Sequence, residues 1–301
     1  MFMALLMLAL REVRAADYAL KARELAPGVY VVEGTNADFA PANGCNIINT
    51  GFIVTGAGVL VINTGPSRRY GEALRALIAR TTRQPVARVI HLNQHPDYFL
   101  GNQAFADVPR AATPATRAGM QREAKAYEDN LYRLCGDWMR GTEALLPDVD
   151  AGPGLATLGG REIELLELDG HTGSDLVLID RASGIAFAGG LVFARRIPTT
   201  PHARLPEWQG SLARLAALPL RRVVPSHGPV DGGIEGLQST VRYLGWLDAR
   251  LRRGAAQGLD INELLRLPVP EEFRAWAAFE TEYPRNVMQL YPRYEQPLLQ
   301  R

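Results

Sequence analysis

The stretch VIHLNQHPDYFLGNQAF, Val89 to Phe105, decides how this 301-residue chain is read. An apolar run leads into Asn93, His95, Asp97 and Tyr98, then into a glycine-containing loop. Imidazole and carboxylate are ligands that zinc and iron accept, and a strand end can aim them together. Asn93 and Tyr98 stand where a metal site would want two more imidazoles.

Outward from this stretch, two other histidines share its context: His171 in LDGHTGSD and His227 in VPSHGPV. Each follows a strand-like run and is flanked by glycine or proline. One such histidine alone reads as a solvent-facing side chain or a backbone cap, but three at similar junctions are a more specific signal. His91 lies two residues before Asn93 and faces the same way in an extended strand. It reads as a fifth possible ligand or as a hydrogen-bonded strand-end histidine. His202, in IPTTPHARLPEW, reads as a loop histidine near the cleft.

GVYVVEG is a strand, and the β-rich runs around Gly56-Ala57-Gly58 read as a hairpin. The following RRYGEALRALIARTT puts Leu74, Leu77 and Ile78 on one helical face, with Ser67 as its N-cap. PVARVIHL is a buried strand that ends in the opening motif, so the candidate chemistry sits at a strand's C-terminal end. Pro114 to Gly141 is a long helix with an apolar stripe, expected to pack on a sheet. A second β-rich block, REIELLELDG to IAFAGG, is followed by helix, short strand and long helix. Both halves thus repeat one order, and nothing linker-like separates them. The tail from Ile261 to Arg301 reads as helical, then Pro- and Tyr-rich.

Lys plus Arg number 33 and Asp plus Glu 32, so no basic field is present to hold a nucleic-acid backbone. The apolar MFMALLMLAL is too short to span a bilayer and suits the h-region of a signal peptide, with cleavage before Ala16 or Asp17. It lacks a basic residue ahead of Arg11, and the alternative is an apolar arm packed on the domain. The expected organisation is a signal peptide over 1–16 and a single domain over 17–301 with a helical C-terminal tail. The location is expected to be periplasmic or secreted, with no membrane span in the mature chain. Cys45 and Cys135 make no C-x-x-C pair and read equally as a bridge or as two buried thiols. No G-x-S-x-G elbow, H-E-x-x-H helix or Walker A loop is present.

In order, LNQHPDY, GHTGSD, FAGG and PSHGPV resemble the four metal-motif blocks of the metallo-β-lactamase superfamily. The resemblance implies an α/β fold, a four-layer αββα sandwich with the site along one edge of both sheets. The wording of Asn49–Arg75 and of HPDYFLGNQAF is most similar to the exported quinoprotein relay system zinc metallohydrolases. Carried over position by position, His95 and His171 match two ligands of the family's first metal site, and Asn93 replaces the third. Asp97 and His227 match two ligands of the second, Tyr98 replaces the motif imidazole, and Gly190 replaces the bridging carboxylate. Asn63 stands at a frequent supporting Asp.

The resemblance therefore implies metal ligands His95, Asp97, His171 and His227. They would hold one Zn²⁺, with Asp97 also orienting the attacking water on a small ester, thioester or amide. The alternative is a non-catalytic binding or accessory protein of a periplasmic quinoprotein dehydrogenase system. Asn93→His, Tyr98→His and Gly190→Asp are expected to rebuild the site, with the main obstacle a positive φ at Gly190.

Overall fold

In the computed structural model, residues 17–299 are described; the proposed signal peptide over 1–16 lies outside them. The first half contains β1 (Arg23–Ala26), β2 (Val29–Val32), β3 (Thr50–Thr55), β4 (Gly58–Ile62) and α1 (Arg68–Thr81). It continues with β5 (Val86–Ile90), the short α2 (Pro96–Phe99), β6 (Arg110–Ala112), α3 (Pro114–Cys135) and β7 (Val149–Asp150). The second contains β8 (Gly154–Leu158), β9 (Arg161–Leu168), β10 (Asp175–Asp180), β11 (Ile185–Phe187), α4 (Leu205–Ala216), β12 (Arg222–Val224) and α5 (Glu235–Ala256). The tail folds as α6 (Ile261–Arg266), α7 (Glu271–Arg274), α8 (Phe279–Leu290) and α9 (Pro292–Leu299).

Each half builds its own sheet. Strands β1 to β7 lie side by side in chain order, antiparallel as far as β4 and parallel from β4 onward. The second sheet runs β12-β11-β10-β9-β8, antiparallel except for the β11–β12 pair.

Side-chain alternation stacks these sheets into layers. On β4, Leu60 and Ile62 point into the core shared by the two sheets, while Val59 and Val61 point to the α1 side. On β10, Leu176 and Leu178 enter the same shared core, while Val177 and Ile179 pack toward α4, α5 and the tail. A strand buried on both faces reads as a continuous apolar run, which is why DLVLID shows no polar alternation. The result is the expected αββα sandwich.

Helix α1 begins where Ser67 Oγ accepts the Tyr70 N–H, as its sequence requires. Its buried Tyr70, Leu74, Leu77 and Ile78 face the first sheet. Each such side chain stabilises the fold by roughly 1.5–3 kcal/mol.

Helix α3 departs from expectation. Its buried residues Met120, Leu131 and Cys135 pack with Phe99, Leu100 and Cys45, so it lies on the motif's own short helix and not on a sheet face. Cys45 and Cys135 form a disulfide across 90 positions. The Pro- and Tyr-rich end of the tail is also helical, with Pro284 inside α8. No helix among the described residues is long and apolar enough to cross a membrane.

Candidate functional site

Four connections meet at one end of the sandwich: β5 to α2, β9 to β10, the turn after β11, and the loop after β12. Backbone bonds fix them to one another. Leu176 N–H donates to Leu92 O at 2.7 Å, Ser226 N–H to Val192 O at 2.8 Å, and Ala194 N–H to His227 O at 2.9 Å. Asn63 has a left-handed φ of 59°, and its Oδ1 accepts the Leu92 N–H at 3.0 Å. It thus braces the strand that delivers the motif. Asn49 does the same for the last loop, donating to Pro225 O and Gly228 O.

The four surviving motif residues come to this end, and all are buried. They meet as two pairs. His227 Nε2 and Asp97 Oδ2 are 2.8 Å apart, and His227 Nδ1 lies 2.8 Å from Ser226 Oγ. A neutral imidazole can donate Nε2–H to a carboxylate, which gives each group one partner within the site. The rings of His95 and His171 meet edge to face, with centroids 4.7 Å apart. Phe193 packs against both His171 and His227.

Asn93, wholly buried, knits its surroundings together. Its Oδ1 accepts the His95 N–H at 3.0 Å, and its Nδ2 lies 3.3 Å from His171 Nδ1 and 3.5 Å from Asp175 Oδ1. His171 Nε2 is buried without a partner among the described residues. Tyr98 is sealed in the shared core with its hydroxyl unpartnered among the described residues, and burial pushes its phenol pKa well above the ordinary value. A phenolate ligand there is thereby disfavoured.

Two residues that were not read as ligands join the cluster. His202 Nδ1 lies 3.1 Å from His95 Nε2, so the loop histidine caps the pair. Asp175 approaches His171 Nδ1 at 3.4 Å and accepts the Thr172 N–H at 2.7 Å. The signal for Asp175 was its place in GHTGSD; His202 was read as near the cleft, but its contact with His95 joins residues 107 positions apart and had no local signal. His91 takes the strand-end role: its Nδ1 bonds Tyr98 O at 3.0 Å.

Burial dominates the electrostatics. It pushes His95 well below the ordinary imidazole range, aided by neighbouring His171, His202 and His227. It lowers His202 and His227 as well, the latter against the opposing pull of Asp97.

The donor set does not fit a two-metal centre. Such a centre needs a bridging group, and Gly190 offers none. A Cβ at Gly190 would stand 2.0 Å from His171 Nδ1 and 2.5 Å from Asn93 Nδ2, so the space for a carboxylate is already filled. The obstacle is this contact and not backbone strain, since the positive φ belongs to Gly189. Among the described residues, no group of three or more His, Cys, Asp or Glu is arranged to hold a metal ion.

The sequence profile of the metallo-beta-lactamase superfamily matches residues 43–227. Among solved structures, the chain is similar to a metallo-beta-lactamase from Pontibacter korlensis. The two share 25% identity with a TM-score of 0.59, over 75% of this chain and 99% of that one. It is also similar to a metallo-beta-lactamase from Hirschia baltica, at 20% identity and TM-score 0.58, over 75% of this chain and 97% of that one. A third likeness is to FIM-1 from Pseudomonas aeruginosa in its mono-zinc form, at 16% identity and TM-score 0.59, over 77% and 97%. The latter two show shared fold alone. No curated protein matches.

Proposed function

We propose, since the chain belongs to the metallo-beta-lactamase superfamily, that it keeps the fold of a metallohydrolase but serves as a binding or accessory protein. One observation carries this reading: His171 and Asn93 occupy the space of the bridging carboxylate. The self-pairing of Asp97 with His227 agrees with it. The cluster would then act as a buried polar brace holding four loops together. Its partner would be a component of a periplasmic quinoprotein dehydrogenase system, a reading supported by the resemblance of the sequence alone. Export is supported by the Cys45–Cys135 disulfide, since such bridges persist in oxidising compartments.

A second reading is favoured by the unpartnered Nε2 of His171. In it, one zinc on His95, Asp97, His171 and His227 would serve hydrolysis of a small ester, thioester or amide. Its ligands would first have to leave their present partners.

Hydrolysis assays with ester, thioester and β-lactam substrates in zinc-supplemented buffer separate the two. The first reading expects no turnover above the zinc-only control. Turnover that requires zinc and is lost in Asp97→Asn would establish the second reading instead.

A further inference from the structure

At the opposite end of the sandwich lies a cleft of about 840 Å³, within the size range of small-molecule sites. Its position follows from topology. The motif loops leave the C-terminal ends of β9, β11 and β12, whereas the cleft is lined by Arg161 at the start of β9, Arg181 just after β10, and Arg221 and Arg222 at the start of β12. The strands of the second sheet therefore separate it from the histidine cluster.

The frame of the cleft is fixed by both sheets. The hairpins β3–β4 and β8–β9 touch there, with Gly56 N–H donating to Gly159 O at 3.2 Å. A Cβ at Gly159 would lie 2.1 Å from Ala57 N, so only glycine permits that approach. Arg161 spans the junction: it grips buried Asp180 with two bonds of 2.6 and 2.9 Å and donates to Pro27 O at 2.9 Å. Its charge is thus spent on the frame, as is that of Arg181, which pairs with Glu164 at 2.9 Å.

Arg221 and Arg222 differ. Neither pairs with a carboxylate among the described residues, and the Arg222 guanidinium reaches only two backbone carbonyls, both at 3.4 Å. Glu162 is the one acidic residue on the lining, and it is exposed. Two guanidiniums with no carboxylate partner among the described residues, on one concave wall, favour a planar-fork contact with an oxyanion of more than one charge. We infer that this cleft binds a phosphate or diphosphate group, with Arg221 and Arg222 as its anion-recognising residues. The group could come from a free small molecule or from a lipid headgroup. The inference is independent of the function proposed for the histidine end.

The test is calorimetric titration of the full mature chain with inorganic pyrophosphate, at ionic strength held constant with chloride. Wild type should bind saturably. The Arg221→Gln/Arg222→Gln variant should bind at least tenfold more weakly while keeping its circular dichroism. Arg221→Gln alone, at an exposed side chain, serves if the double variant does not fold, and should also weaken binding. Co-sedimentation with phosphatidylglycerol vesicles distinguishes the sources. Vesicle binding that depends on the same two arginines, without pyrophosphate binding, assigns the phosphate to a lipid. Binding of neither probe, or equal binding by wild type and variants, would overturn the inference.

Discussion

His91 is the residue whose burial has the plainest energetic consequence. Its Nδ1–H donates to Tyr98 O, leaving Nε2 buried and without a partner among the described residues. A second proton would place a charge in the interior, so burial lowers its pKa from 6.5 to about 4, against the pull of the Tyr98 carbonyl. The unfolded chain therefore binds this proton at a higher pH than the folded one. Stability is intact above pH 6.5 and is lost as pH falls from there toward 4, by roughly 3 kcal/mol for this residue. His95, His202 and His227 shift in the same direction, so they add to the loss. Urea denaturation should show a clearly lower unfolding free energy at pH 5 than at pH 7.5, with a smaller difference in His91→Gln. An equal stability at both values would contradict this account of the buried imidazoles.

Among the elements, α3 matters most to the site because it covers the motif. Gly119 lies so close to Gln94 that a Cβ there would stand 1.8 Å from Gln94 Oε1. The far end of the helix is tied by Cys135 to Cys45 in the loop before β3. Closing so long a loop lowers the entropy of the unfolded chain, and such a bridge typically contributes about 2–4 kcal/mol. Cys135→Ser should lower stability by that order, measured by denaturation with and without reductant; wild type alone should respond to the reductant. Periplasmic material should carry the intact bridge on a chain starting near Ala16 or Asp17, read by mass spectrometry. A reduced protein retaining Met1 in the cytoplasm would defeat the export proposal. The stripe along α3 was legible from its period, but its partner was not, because Phe99 ends a short helix that no periodicity announces and Leu100 is its C-cap. By contrast α1 was legible to its cap, since Ser67 and the spacing of Leu74, Leu77 and Ile78 are local signals.

Over the whole molecule, the two halves each form a sheet, and their pairing places four loops at one end. That much followed from the order of the four motif blocks, because strand ends and glycine-rich turns are encoded locally. The contents of the site were less legible. Sequence could show that Asn93, Tyr98 and Gly190 depart from the family's ligands. It could not show that His202 would cap His95, or that His171 would close over Gly190, since both contacts join residues far apart in the chain. Asn93 is paired with His171 and Asp97 with His227, so a metal bound here would have to displace those contacts. Zinc titration by calorimetry, on wild-type protein first dialysed into metal-free buffer, tests this most directly. The account predicts at most one weakly held zinc per chain. Two tightly held zinc ions would contradict it, and would mean that the Asp97–His227 and His95–His171 pairs open to form a complete two-metal centre.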